Sequence, residues 1–284
     1  MKLTITASAV GSKIFDFGSV LRDDRTALNR RLSYQHPAAL WGSSSWDGNV
    51  RLLHADGCFN VGCTHTVANY LTQRGYEVEL VLAQEPPIPL PTRGVYGLRP
   101  YQQQAVDAFL SQRPLWGIIQ GSPRSGRTVI AAEIIDRMQT PTTLISERLE
   151  LAYQALDHLS KSRYTTGLIG NGSYEDGDVV VSTVQSACQA FNQPSSIKDR
   201  SEISLTGEAK AKARLRLAAT RFLVVDETHH VAAASYRKVI RQMRQRYGTL
   251  GLSGTPWRDD GQDLLLEAFW RLVSVVRKLC ESVL

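Results

Sequence analysis

Five short apolar runs between residues 115 and 254, interleaved with helical stretches, constrain this chain more than any other feature. They read "LWGIIQ", "TTLISE", "DVVVST", "RFLVVDE" and "GTLGLSG". Each is apolar almost throughout, with no polar alternation, so each is expected to be buried on both faces. Between them, "PYQQQAVDAFLSQ", "TVIAAEIIDRMQ" and "ERLELAYQALDHLS" carry apolar residues at helical spacing. Strands alternating with helices predict a parallel sheet covered on both faces, an α/β class. With 43% hydrophobic and 21% charged residues, the composition suits a globular chain. No apolar run reaches the ~18–20 residues of a membrane span, and the N-terminus has no secretory pattern. No membrane partner is expected, and a cytoplasmic location is.

A proline-rich stretch, "AQEPPIPLPTRG", precedes this region. Four prolines between residues 86 and 91 exclude helix and central strand, so 83–95 reads as an extended linker. Residues 1–82 then form a small α+β N-terminal domain of short strands and turns. "NVRLLHADG" reads as a strand ending in a turn. "VANYLTQRGYEVELVL" reads as a helix closed by Gly75 and followed by an alternating strand. The apolar spacing of Leu265, Phe269, Leu272, Val276 and Leu279 predicts a helical tail over 259–284. That helix packs on its own domain or docks a partner chain.

Three segments point to chemistry. "GSPRSGRT" (121–128) lies between a strand and a helix, where backbone N–H groups and a helix N-terminus cradle phosphate. It has Arg127 where such loops carry Lys. Alone it is consistent with a working cradle, an impaired one or an accident. Some 100 residues on, "RFLVVDETHH" ends an apolar strand in Asp226 and Glu227. One carboxylate suits a Mg²⁺ ion and the other an attacking water. "LGLSGTPWRDDG" places Ser253, Gly254 and Thr255 at a third strand end; alone these are a turn.

Taken with Tyr101-Gln102 and "VVVSTVQS", this ordered set resembles the first RecA-like domain of superfamily 2 DNA helicases of the DExH type. The resemblance spans 96–258 and lies toward the branch that holds XPB and the restriction-enzyme translocases. "WGSSSWDGNVRLL" and "HTVANYLTQRGYEVEL" are similar to the N-terminal domain of the phage UvsW helicase, which implies a phage origin and a host cytoplasm. The resemblance implies ATP and Mg²⁺ as cofactors, and DNA, double-stranded or branched, as partner. It implies that Arg99 and Gln102 read adenine. Gly121, Ser122, Pro123, Arg124, Ser125, Gly126, Arg127 and Thr128 would hold the phosphates, with Thr128 and Asp226 on the metal. Glu227 would be the catalytic base. His229 would link the γ-phosphate to Ser253, Gly254 and Thr255. Thr183, Val184 and Gln185 would touch the nucleic-acid backbone.

Two departures bear on turnover. Arg is a planar fork and Lys a compact point charge, so Arg127 is expected to spare nucleotide binding more than hydrolysis. After Arg258 only 26 residues follow, which implies that a second RecA-like domain is absent and would come from a partner chain.

Other features stay open. His54, Cys58, Cys63 and His65 crowd one segment, but at a spacing unusual for structural zinc, so buried thiols are expected. Arg237, Arg241 and Arg244 fall on one helix face, solvated or phosphate-contacting. Trp41 and Trp46 read as core before base-stacking platforms. Residues 193–220 read as a solvated, basic surface stretch between two strands. The net charge of +6 is compatible with a polyanionic partner.

Overall fold

The structure is a computed structural model; it describes residues 1–35, 47–82, 96–112, 114–122, 124–160, 164–195, 202–228, 234–254 and 272–273. Trp41, Trp46, the proline-rich stretch and most of the tail lie outside these. The chain divides into two compact units, one holding Met1–Gln84 and one holding Glu85–Arg258.

The first unit contains β1 (Lys2–Ser8), β2 (Gly11–Ile14), α1 (Arg22–Arg31), β3 (Ser33–Gln35), β4 (Asn49–Arg51), β5 (Cys58–Phe59), α2 (Thr64–Gln73) and β6 (Glu77–Leu82). Its main sheet runs β5-β2-β1-β6, antiparallel except where β6 joins β1 in parallel. β1 alternates buried and half-buried residues, putting Leu3, Ile5 and Ala7 in the core. Gly75, at φ 87°, turns the chain from α2 into β6, as its sequence position suggested. Asp24 is buried, and its carboxylate accepts from Arg74 Nε at 2.6 Å and Tyr76 Oη at 2.8 Å. The Tyr76 hydroxyl, with the Arg74 guanidinium, holds Asp24 below the usual carboxylate range.

The second unit contains α3 (Pro100–Leu110), β7 (Leu115–Gln120), α4 (Arg127–Met138), β8 (Thr142–Ser146), α5 (Leu149–Leu159), β9 (Thr166–Gly170), β10 (Ser173–Tyr174) and β11 (Val179–Thr183). It continues with α6 (Val184–Ala190), α7 (Gly207–Ala218), β12 (Phe222–Val225), α8 (Ala234–Gln242), β13 (Gly248–Ser253) and β14 (Leu272–Val273). Among the described residues its sheet has the order β10-β9-β11-β8-β12-β13-β7-β14. Every pairing is parallel except β10 with β9. β8, β11, β12 and β13 are buried along their full length, which is why they read as unbroken apolar runs. Phe109 of α3 meets Phe222 of β12 edge to face, with ring centroids 6.1 Å apart.

Three strands of this sheet escape the sequence reading: β9, β10 and β14. The expected tail helix fails at Leu272–Val273, which pair instead with Ile118–Ile119 of β7. Backbone pairing to an otherwise open edge outweighs helical spacing there. The basic stretch 193–220 also differs from a purely solvated surface. Arg216 of α7 is largely buried, and its Nη2 donates to the carbonyls of Thr142 at 3.0 Å, Gly177 at 3.1 Å and Asp178 at 3.0 Å. It ties down the N-terminal ends of β8 and β11. Arg246 lies beyond α8 and donates through Nη1 to the carbonyls of Ile240 and Met243, both at 2.6 Å. Burial pushes its guanidinium down to about 10.

Candidate nucleotide site

The C-terminal ends of parallel strands carry unpaired backbone and the starts of the following helices, so polar ligands bind there. In this sheet β7, β12 and β13 are neighbours, and their C-terminal ends bring the three sequence segments together. Gly121 N donates to Ser253 O at 3.0 Å, fastening the loop after β7 to the end of β13.

The loop is built for close backbone approach. Ser125 N donates to Ser122 O at 3.1 Å, making a turn. Arg124 at φ 67° and Gly126 at φ 80° take left-handed conformations. At Gly126 a Cβ would sit 2.3 Å from Gln102 Nε2, so any side chain would push Gln102 away. Gln102 is buried at the start of α3; its Oε1 accepts from Arg99 N at 2.9 Å and its Nε2 donates to Ser125 O at 3.2 Å. Tyr101 Oη donates to the same carbonyl at 2.9 Å. The first turn of α3 therefore sets the shape of the loop. Arg99 itself is exposed.

Arg127 opens α4. Its Nη2 lies 2.8 Å from Glu227 Oε1, with the two side chains 18% and 28% exposed. Glu227 sits in the left-handed region at φ 48°, and its N–H donates to Asp226 Oδ1 at 3.0 Å. A Cβ on Gly254 would lie 3.8 Å from Arg127 Nη1, so the guanidinium also reaches the end of β13. Around this pair several buried polar atoms have no hydrogen-bond partner: Gln120 Oε1, Ser125 Oγ, Arg127 Nη1, Thr228 Oγ1 and Ser253 Oγ. Unsatisfied buried groups are rare in folded proteins and costly. Here they gather at three adjacent strand ends, and all of them except Gln120 Oε1, an acceptor, can donate to phosphate oxygens. Thr128 and Asp226, both half-buried, flank the same junctions. A Mg²⁺ ion on a nucleotide needs only one or two protein ligands besides phosphate oxygens, so these two residues fit it.

The candidate residues fare differently. Gln102, Gly121, Ser125, Gly126, Arg127, Glu227, Ser253 and Gly254 are linked by the contacts above. Ser122 and Arg124 are exposed in the loop. Pro123, His229 and Thr255 lie outside the described residues. Thr183, Val184 and Gln185 stand at the end of β11 and are all buried. The Arg127–Glu227 ion pair, Thr228 and the role of Tyr101 in the loop escape the sequence reading; no spacing rule pairs residues 100 positions apart. Of the crowded thiols, Cys58 starts β5 and Cys63 is buried in a 3₁₀ turn. Among the described residues no group of three or more His, Cys, Asp or Glu is placed to hold a metal ion.

Residues 96–258 match the family model "Type III restriction enzyme, res subunit". The chain belongs to this family. A putative DNA 3'-5' helicase, Rad25, from Halobacterium salinarum is 30% identical over 174 residues, covering 58% of this chain and 24% of the relative. The chain thus spans about a quarter of that relative's length. The UvsW helicase of bacteriophage T4 superposes with a TM-score of 0.72 at 17% identity, covering 95% of this chain and 98% of that one. A second UvsW structure gives 0.69 at 18% identity, covering 96% of this chain and 56% of that one. The fold is RecA-like with a smaller N-terminal sheet. It is the first RecA-like domain of a superfamily 2 helicase, as the motif order suggested.

Proposed function

We propose that this chain binds ATP with Mg²⁺ at the β7, β12 and β13 strand ends and couples its hydrolysis to movement on double-stranded or branched DNA. The reading rests above all on the partnerless polar atoms gathered around Arg127 and Glu227. Similarity to a relative named as a putative DNA 3'-5' helicase supports the DNA part.

In this reading Gln102 and Arg99 meet the adenine, where Gln102 also reports on the loop through Ser125 O. The backbone from Gly121 to Thr128, Pro123 included, wraps the β- and γ-phosphates. Ser125 Oγ and Arg127 Nη1 supply donors that now lack partners. Thr128 and Asp226 would hold the metal, which would supply positive charge against the phosphates. Glu227 accepts the proton of the attacking water. His229, Ser253, Gly254 and Thr255 carry the state of the γ-phosphate toward the DNA face, formed in part by Thr183, Val184 and Gln185. A second RecA-like domain closing over the nucleotide would add an arginine finger, worth ~10³–10⁵ in turnover in related systems. The likeness to T4 UvsW favours a phage-encoded protein acting in the host cytoplasm.

One observation favours a second reading, a nucleotide- and DNA-binding module with little turnover of its own. The Arg127 guanidinium occupies Glu227, so the base is engaged at 2.8 Å before any water arrives. ATP hydrolysis with and without DNA, in wild type and Glu227→Gln, separates the two. DNA-stimulated turnover that Glu227→Gln abolishes supports the motor. Saturable nucleotide binding without turnover supports the module.

A further inference from the structure

Glu202 is a buried carboxylate that the nucleotide site does not use. It is 7% exposed and comes from the polar stretch between α6 and α7. Its Oε1 accepts from Thr183 Oγ1 at 2.6 Å and from Ser186 Oγ. Both hydroxyl residues are fully buried, and Thr183 Oγ1 in turn accepts from Ser186 N at 3.0 Å. A Cβ on Gly170 would lie 3.6 Å from the same carboxylate oxygen, which places Glu202 beside the end of β9 as well as β11.

The arrangement is costly. A buried carboxylate is stable when a cation or several donors meet it. Among the described residues no ion pair reaches Glu202, and its Oε2 is buried without any hydrogen-bond partner. The segment that delivers it is fastened on its C-terminal side, where Leu205 is buried, its N donates to Gln189 Oε1 at 2.8 Å and Ser204 Oγ accepts from Gln189 Nε2 at 3.3 Å. At Ile203, next to Glu202, the hold is weaker: its N reaches Asn171 Oδ1 only at 3.4 Å and its side chain is exposed. Two hydroxyls meeting one anionic oxygen is how serine and threonine side chains hold a nucleic-acid phosphate.

We propose that Glu202 is an internal substitute for a backbone phosphate. In the free chain it occupies the hydroxyls of Thr183 and Ser186, and it must withdraw before a strand can bind at the end of β11. This rests on the reading that Thr183 faces nucleic acid. The exchange is inexpensive because Glu202 regains hydration as phosphate takes its donors. A phosphate arriving beside a carboxylate still in place would meet like charge.

The test is binding of the full chain to a labelled duplex and a labelled fork, followed by fluorescence anisotropy. Glu202→Ala removes the acceptor and leaves both hydroxyls open to a phosphate. If the occupied form holds ~90% of molecules, this variant binds about tenfold tighter than wild type. Adding Thr183→Ala to Glu202→Ala then weakens binding. A folded Glu202→Ala variant that binds no tighter than wild type overturns the proposal and leaves the DNA reading standing. No binding by any form, wild type included, overturns both. If Glu202→Ala does not fold, hydrogen exchange on the wild type decides. DNA should speed exchange at the Ile203 and Leu205 amides, and unchanged or slower exchange there overturns the proposal.

Discussion

Two strand-to-helix junctions on the same sheet start from one plan and end differently. At β7–α4 and at β11–α6 a buried parallel strand runs into a helix, and a carboxylate from a distant segment reaches across. At β11–α6 the junction is closed: Thr183 Oγ1 caps the helix through Ser186 N, and Glu202 takes both hydroxyls. At β7–α4 no side chain caps the helix, Gly126 stands at its start, and Glu227 takes only one arm of Arg127. Ser125 Oγ and Arg127 Nη1 remain unsatisfied. At β11–α6 the donors are matched within the chain and only Glu202 Oε2 is left over, so a ligand there has to displace a side chain. At β7–α4 the donors themselves are left open, shaped for something that is not part of the chain.

The comparison breaks most visibly at Glu227. If it is the base, Glu227→Gln lowers ATP turnover by about 10²–10⁴-fold while nucleotide still binds; steady-state hydrolysis beside a binding titration checks this. At the closed junction, Thr183→Ala removes a helix cap and should cost about 1–2 kcal/mol in chemical denaturation. Arg127→Lys sharpens the contrast between one carboxylate and the other. A compact ammonium holds Glu227 less firmly than the fork does, so turnover should rise about tenfold with nucleotide affinity little changed. A fall in turnover would mean that the guanidinium is needed for chemistry. The smallest effect is expected at Ser125. Its hydroxyl has no partner, so Ser125→Ala should alter the stability of the nucleotide-free chain by under about 0.5 kcal/mol while still weakening nucleotide binding.

The same contrast explains what the sequence could convey. Continuous apolar runs announce β7, β8, β11, β12 and β13 because both faces of those strands are buried. "TGLIG" hides β9 because two glycines dilute its apolar character. A Cβ on Gly167 would lie 2.2 Å from Glu175 O, so that glycine is required by close backbone approach. β14 is hidden because Leu272 and Val273 sit in a stretch whose apolar spacing suggests a helix, and they pair as a strand only when β7 offers its edge. At the nucleotide site, the loop and the Asp-Glu pair are legible because local spacing creates them. The Arg127–Glu227 contact and the Glu202 contact arise from strands meeting in space, and no local pattern encodes them. Arg216 shows the converse: a basic residue in a polar stretch suggests a solvated face, yet three strand-end carbonyls claim it.

Titration of the full chain with Mg-ADP bears most directly on the site itself, because ADP separates binding from turnover. The account predicts saturable binding of one nucleotide per chain. Glu227→Gln, which loosens the hold on Arg127, should bind at least as tightly. Gly126→Ala, which forces a Cβ against Gln102, should abolish binding. Absence of saturable binding by the wild type, or undiminished binding by a folded Gly126→Ala variant, would contradict it.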